Sequence, residues 1–182
     1  TATGLDANIH SVTITDDNGC TISASAAITE PSAMVLTFDV DSVLCKNGNN
    51  GQIEAIVTGG TFPYGFQWDA AANNQNTAIA TGLTIGTYSV VATDFNGCTI
   101  TDNAQVFEPL TILTASIINQ SNPLCNGSCD GMIEVDAVGA TPNYTFSWNN
   151  GQTSSIATAI CAGVHSVTVS DANNCTISVS GV

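Results

Sequence analysis

Residues 88–101 read YSVVATDFNGCTIT, and the same phrase stands at 10–23 as HSVTITDDNGCTIS and at 165–178 as HSVTVSDANNCTIS. In the middle copy Val90 and Ala92 lead into DFNG, and Cys98 and Ile100 leave it. Period-two alternation on both sides of residues that tolerate positive φ and bond their own backbone describes a β-hairpin. Its recurrence decides the fold. The spacings, 88 − 10 = 78 and 165 − 88 = 77, make the chain a tandem array with one module per roughly 78 residues.

Working outward, GQIEAIVTGG from Gly51 matches GMIEVDAVGA from Gly131, a shift of 80 residues. Ile53, Ala55 and Val57 alternate with Gln52, Glu54 and Ile56, so one face of this segment is buried and the other mostly wet. Glu30-Pro31 and Glu108-Pro109 fall at the same phase after the last strand of a module, where proline ends the pattern. The expected modules are therefore 1–31 (the second half of one repeat), 32–109 and 110–182. Short strands with turn signals at this spacing predict an all-β protein of tandem immunoglobulin-like β-sandwich modules with intramodule disulfides.

Composition agrees with a folded array. Of 182 residues 43% are apolar and only 9% charged, the reverse of a disordered chain. Lys46 is the one lysine or arginine against fifteen acids, and a net charge of -14 makes nucleic acid and anionic membrane poor partners. Every Val/Ile run is interrupted well short of the roughly 18 apolar residues that a membrane helix requires. The chain lacks an initiator methionine, so its natural start is expected elsewhere.

Seven cysteines become interpretable once the repeat is imposed. The middle module holds only Cys45 and Cys98, which predicts a bond between them, and alignment then pairs Cys125 with Cys175. Cys129 and Cys161 remain to pair within the third module. Cys20 is left over, its mate expected about 50 residues upstream, before residue 1. Modules this small are marginal alone, and a disulfide closing such a loop adds roughly 4 kcal/mol in the chain-entropy account. Persistent disulfides imply export to an oxidising compartment. A zinc site at Cys125 and Cys129 has ligand-like spacing but lacks a second cysteine pair or Cys-His cluster close by in sequence.

Tyr64, Phe66 and Trp68, and their counterparts Tyr144, Phe146 and Trp148, each share one strand face. Either they form the module core or they form a sugar-stacking platform. The core reading is favoured, because a module this small has few other large apolar residues; Trp68 is then expected to pack on a Cys45–Cys98 bond. His10 and His165 occupy the phase of Tyr88, which suits a structural ring and not a general base. No nucleophile elbow is present, so catalysis is unsupported and the reading is not an enzyme. Asp16, Asp17, Asp94 and Asp171 recur in turns and read as solvated hairpin residues. No cofactor is expected; calcium at the Glu30 and Glu108 junctions, with Asp39, Asp41 or Asn119, is the alternative.

Taken together, CKNGNNGQIE and CNGSCDGMIE, GGTFPYGFQW and GATPNYTFSW, the Gly-Thr-Tyr-Ser-Val strand and the Thr-Asp-x-Asn-Gly-Cys-Thr turn closely resemble the SprB-type repeat of surface adhesins of gliding bacteria. The resemblance covers essentially the whole chain; Asn143, Asn174 and His165 are departures outside the cysteine frame. It implies a large filamentous protein of the outer cell surface, exported by the type IX route, moved by a motility motor and gripping the substratum. The implied partners are neighbouring modules, an external surface or polysaccharide, and the motility and secretion machinery. Asp41-Ser42-Val43 looks like the short O-glycosylation motif of that bacterial group, with Ser42 as acceptor. A glycan-binding β-sandwich module is the competing function, separable by whether Tyr64 and Trp68 are exposed.

Overall fold

The computed structural model describes residues 1–181. Its strands follow the alternating segments. The first repeat contributes a hairpin, β1 (Ile9–Thr15) and β2 (Thr21–Ala27). The second contributes β3 (Val35–Asp41), β4 (Gly51–Thr58), β5 (Gly65–Trp68), β6 (Ile79–Leu83), β7 (Gly86–Thr93) and β8 (Thr99–Val106), with one 3-10 turn at Ala70–Ala72. The third repeats the set as β9 (Thr114–Ser121), β10 (Gly131–Val138), β11 (Thr145–Trp148), β12 (Ile156–Ile160), β13 (His165–Ser170) and β14 (Thr176–Gly181). No described helix is long and apolar enough to cross a membrane.

Each full repeat is a sandwich of two three-stranded antiparallel sheets. In the second repeat these are β3-β4-β6 and β5-β7-β8, and in the third β9-β10-β12 and β11-β13-β14. The inward positions fill the space between them: Leu36, Ile53, Ala55, Trp68, Val90 and Val106 in one core, Ile133, Val135, Trp148, Ala157, Val167 and Val169 in the other. Val90 is fully buried, whereas its counterpart Val12 is 57% exposed, because β1 and β2 form a two-stranded sheet by themselves.

Where the cysteines lie follows from the length of one strand. Cys98 immediately precedes β8, and Phe107 follows it. The Val43 N–H donates to the Phe107 carbonyl at 2.8 Å, so the loop carrying Cys45 sits where β8 ends. Eight residues at about 3.3 Å each put roughly 25 Å between the two cysteines. Each full repeat thus has a loop pole and a turn pole.

Backbone conformation is critical at Gly59. Its φ is +75°, and a Cβ there would run into the Ala33 carbonyl. Glycine alone meets both demands without strain.

Candidate functional site

The turn pole is built around one aspartate. Asp94 Oδ1 accepts from the N–H groups of Asn96 (2.9 Å) and Cys98 (2.8 Å), while Oδ2 accepts from Thr61 N–H at 2.9 Å. Asp171 makes the same set with Asn173 (2.9 Å), Cys175 (2.8 Å) and Thr141 (3.1 Å). Asp16 repeats the two turn bonds to Asn18 and Cys20. Asp94 and Asp171 are only 5% and 3% exposed, which corrects the expectation of solvated turn residues: they are buried anchors tying the loops that carry Thr61 and Thr141 to their hairpins. Burial pushes the Asp94 carboxyl up, but the N–H donors of Thr61, Cys98 and Asn96 outweigh it and hold the group below its ordinary range.

A glutamate clasps the loop pole. Glu108 Oε1 lies 2.6 Å from Lys46 Nζ, and Oε2 accepts from Asn47 N–H at 2.7 Å. Its side chain is 6% exposed. The Lys46 hydrogen bond, then the Asn47 N–H, hold its carboxyl below the usual range against the effect of burial. Asn50 Oδ1 closes the loop on Leu44 N–H at 3.2 Å, as Asp130 does on Leu124 N–H at 3.1 Å. Hydrogen bonds from the Ser128 hydroxyl, then Leu124 N–H, keep Asp130 low.

The two poles meet across the repeat boundary. Cys45 of the second repeat is disulfide-bonded to Cys175 of the third, 130 residues away, with Cα atoms 5.6 Å apart. Beside it, Asn173 Nδ2 donates to the Leu44 carbonyl at 3.2 Å and to Thr141 Oγ1 at 2.9 Å. This arrangement overturns two expected pairings, Cys45–Cys98 and Cys125–Cys175. The reason is distance: one sandwich separates its own two cysteines by far more than the roughly 7 Å limit for Cα atoms in a disulfide. Cys98 and Cys125 are exposed thiols, as is Cys20. Cys129 and Cys161 are bonded to each other within the third repeat.

The aromatic residues divide by depth. Trp68 and Trp148 are buried, and their Nε1–H groups donate to Thr77 and Ser154 carbonyls at 2.9 and 2.8 Å. Trp68 packs at 6.5 Å from the Phe38 ring and not on a disulfide of its own repeat. Phe66, Phe146 and Tyr144 are half-buried against the cores. Tyr64, also half-buried, donates to Gly59 at 2.5 Å, and Tyr144 to Gly139 at 2.8 Å. At the shared ring position Tyr88 donates to Thr84 O, and His165 and His10 place Nε2 at 2.9 Å from the carbonyls of Cys161 and Asp6. All three rings reach four residues back along the chain.

Ser42 is exposed, its Oγ accepting from Phe107 N–H at 3.4 Å. Among the described residues no group of three or more His, Cys, Asp or Glu side chains is arranged to hold a metal. A cavity of about 340 Å³ beside Cys125 is lined by Pro123, Ile133, Ile160 and His165.

No curated protein matches the chain. Solved structures resemble it at low identity. Three N-terminal domains of the Highly Immunogenic Outer Capsid protein of bacteriophage RB49 give 18% identity over 81% of this chain and 58% of that one, with a TM-score of 0.48. The N-terminal eight Ig domains of Down Syndrome Cell Adhesion Molecule give 11% over 96% of this chain and 28% of that one, at 0.41. The chain thus spans well under two thirds of either. The family model of the SprB repeat matches residues 37–73 and 117–153. These segments begin in β3 and β9 and end just beyond β5 and β11, at one phase of the two sandwiches. Each of the two complete sandwiches thus carries one segment that matches the SprB repeat.

Proposed function

We propose that this segment is a load-bearing stretch of a filamentous cell-surface adhesin, serving as stalk and adhesive array in gliding motility and surface attachment. The observation that carries the reading is the Cys45–Cys175 bond, which joins successive repeats and not the two sheets of one. A chain of sandwiches held only by their connectors would unravel module by module under tension; a bond across the boundary takes residues 46–174 out of the extensible path. Disulfides of this kind fit an extracellular protein, and the acidic, nearly lysine-free surface suits a solvated filament on the outer face of a bacterium reached by type IX secretion. The buried tryptophans and tethered tyrosine hydroxyls speak against the glycan-platform alternative.

Pulling single molecules by their ends tests the load-bearing role. Under oxidising conditions the release expected for the bridged segment is absent, and on reduction the contour grows by about 450 Å, from 130 residues at roughly 3.5 Å each. Equal lengths in both conditions would sink the mechanical reading. For the adhesive role, antibody raised against the chain should label moving filaments on intact parent cells and halt their gliding; a surface without label rejects it.

A further inference from the structure

The Cys45–Cys175 junction uses one loop pole and one turn pole, yet the chain presents further copies of each. Cys125 occupies in the third repeat the position that Cys45 holds in the second, and its loop is closed the same way: Ser128 N–H donates to Cys125 O at 3.0 Å, as Gly48 does to Cys45 O at 2.9 Å. Cys98 and Cys20 occupy the position of Cys175, each with its N–H on the aspartate of its own turn at 2.8 Å. Asn96 bonds Thr61 Oγ1 at 3.0 Å as Asn173 bonds Thr141, and carries a second N–H where Asn173 reaches Leu44. Exposure differs as an open and a closed copy should: Leu124 is 87% exposed against 47% for Leu44, and Cys98 is exposed where Cys175 is buried.

We propose that the Cys125 loop and the Cys98 turn are open halves of this same junction, each built to receive another repeat of this kind. In an array the loop cysteine of every repeat is oxidised with the turn cysteine of the next. The occupant is set by the closed copy: a hairpin turn carrying Asp-x-Asn-x-Cys, whose asparagine takes the leucine carbonyl beside the loop cysteine. In forming each bond two thiols lose two protons and two electrons, and an external disulfide accepts them and becomes two thiols. The polarity is fixed, loop of one repeat to turn of the following one, so all three exposed cysteines have an assigned kind of partner and none is a redox or metal site. The junction rests on the array reading above, whereas what the array grips does not enter it.

The test extends the full chain, in phase, with a second copy of residues 106–182, oxidises it with oxidised glutathione, alkylates and maps the peptides. Cys125 is expected to bond the appended counterpart of Cys175, with Cys45–Cys175 retained. Its alkylation should fall by about tenfold or more relative to the unextended chain, since a tethered neighbour is presented at roughly millimolar effective concentration. Cys125 still alkylated, or bonded within its own repeat, overturns the proposal. Should the extended chain not fold, the unextended chain oxidised at high concentration decides: loop-to-turn links, Cys125 to Cys98 or Cys20, support the junction, and like-to-like links overturn it. These maps read bonds alone, so adhesion and gliding can fail without touching them, and the reverse.

Discussion

A single carboxylate at each pole positions the cysteine that makes the junction. Asp94 and Asp171 collect three backbone N–H groups each, and Glu108 collects Asn47 N–H and the Lys46 ammonium. The lowered values at Asp94, Glu108 and Asp130 carry a sign. A group whose folded value lies below its unfolded one stabilises the fold above the unfolded value, about 4 for these side chains, and that contribution fades as pH falls through the folded value. Thermal stability should therefore hold on the neutral side and decline from about pH 4 downward. Glu108→Gln should show a shallower decline than the parent across that window, read by circular dichroism melts; identical slopes would remove Glu108 from the account. A histidine serves at 165 where tyrosine stands at 88 because the position asks only for a ring tip that can bond a carbonyl four residues back.

At the level of strands and loops, the φ of +75° and the nearby Ala33 carbonyl make Gly59 the hinge between β4 and the loop leading to β5. Gly59→Ala should cost at least about 1–2 kcal/mol from the left-handed conformation alone, lowering the unfolding midpoint in denaturant without changing the third repeat's own transition. Much of this layer was legible beforehand. The β7–β8 and β13–β14 hairpins lie where the Asp-x-Asn turns predict them, and β4 buries Ile53 and Ala55 while exposing Ile56. The disulfide connectivity was not. Cys45 and Cys98 look like natural partners when only their membership of one module is counted, but the strand between Cys98 and Phe107 carries them to opposite poles. Strand length was readable from the alternation; which sheet edge each loop crosses was not. The burial of Asp94 and Asp171 was likewise hidden, since the Thr61 and Thr141 N–H donors come from 33 and 30 residues away.

Across the whole molecule, the order of the bonds matters more than their number. The Cys45–Cys175 loop spans 130 residues while the repeat recurs about every 78, so loops of this kind laid along an array overlap. Shared strands then belong to two closed rings at once, and neither ring opens without its own bond breaking. A consequence follows for digestion. Lys46 is the one lysine or arginine of the chain, and it stands directly after Cys45, just inside the closed ring. Trypsin can therefore cut only there, giving pieces of 46 and 182 − 46 = 136 residues. In the oxidised parent they should migrate as one band without reductant and as two with it, and Cys175→Ser should release them in both lanes, whereas Cys98→Ser should not. A filament assembled on this plan would be nicked by trypsin-like proteases once per such lysine and still not come apart.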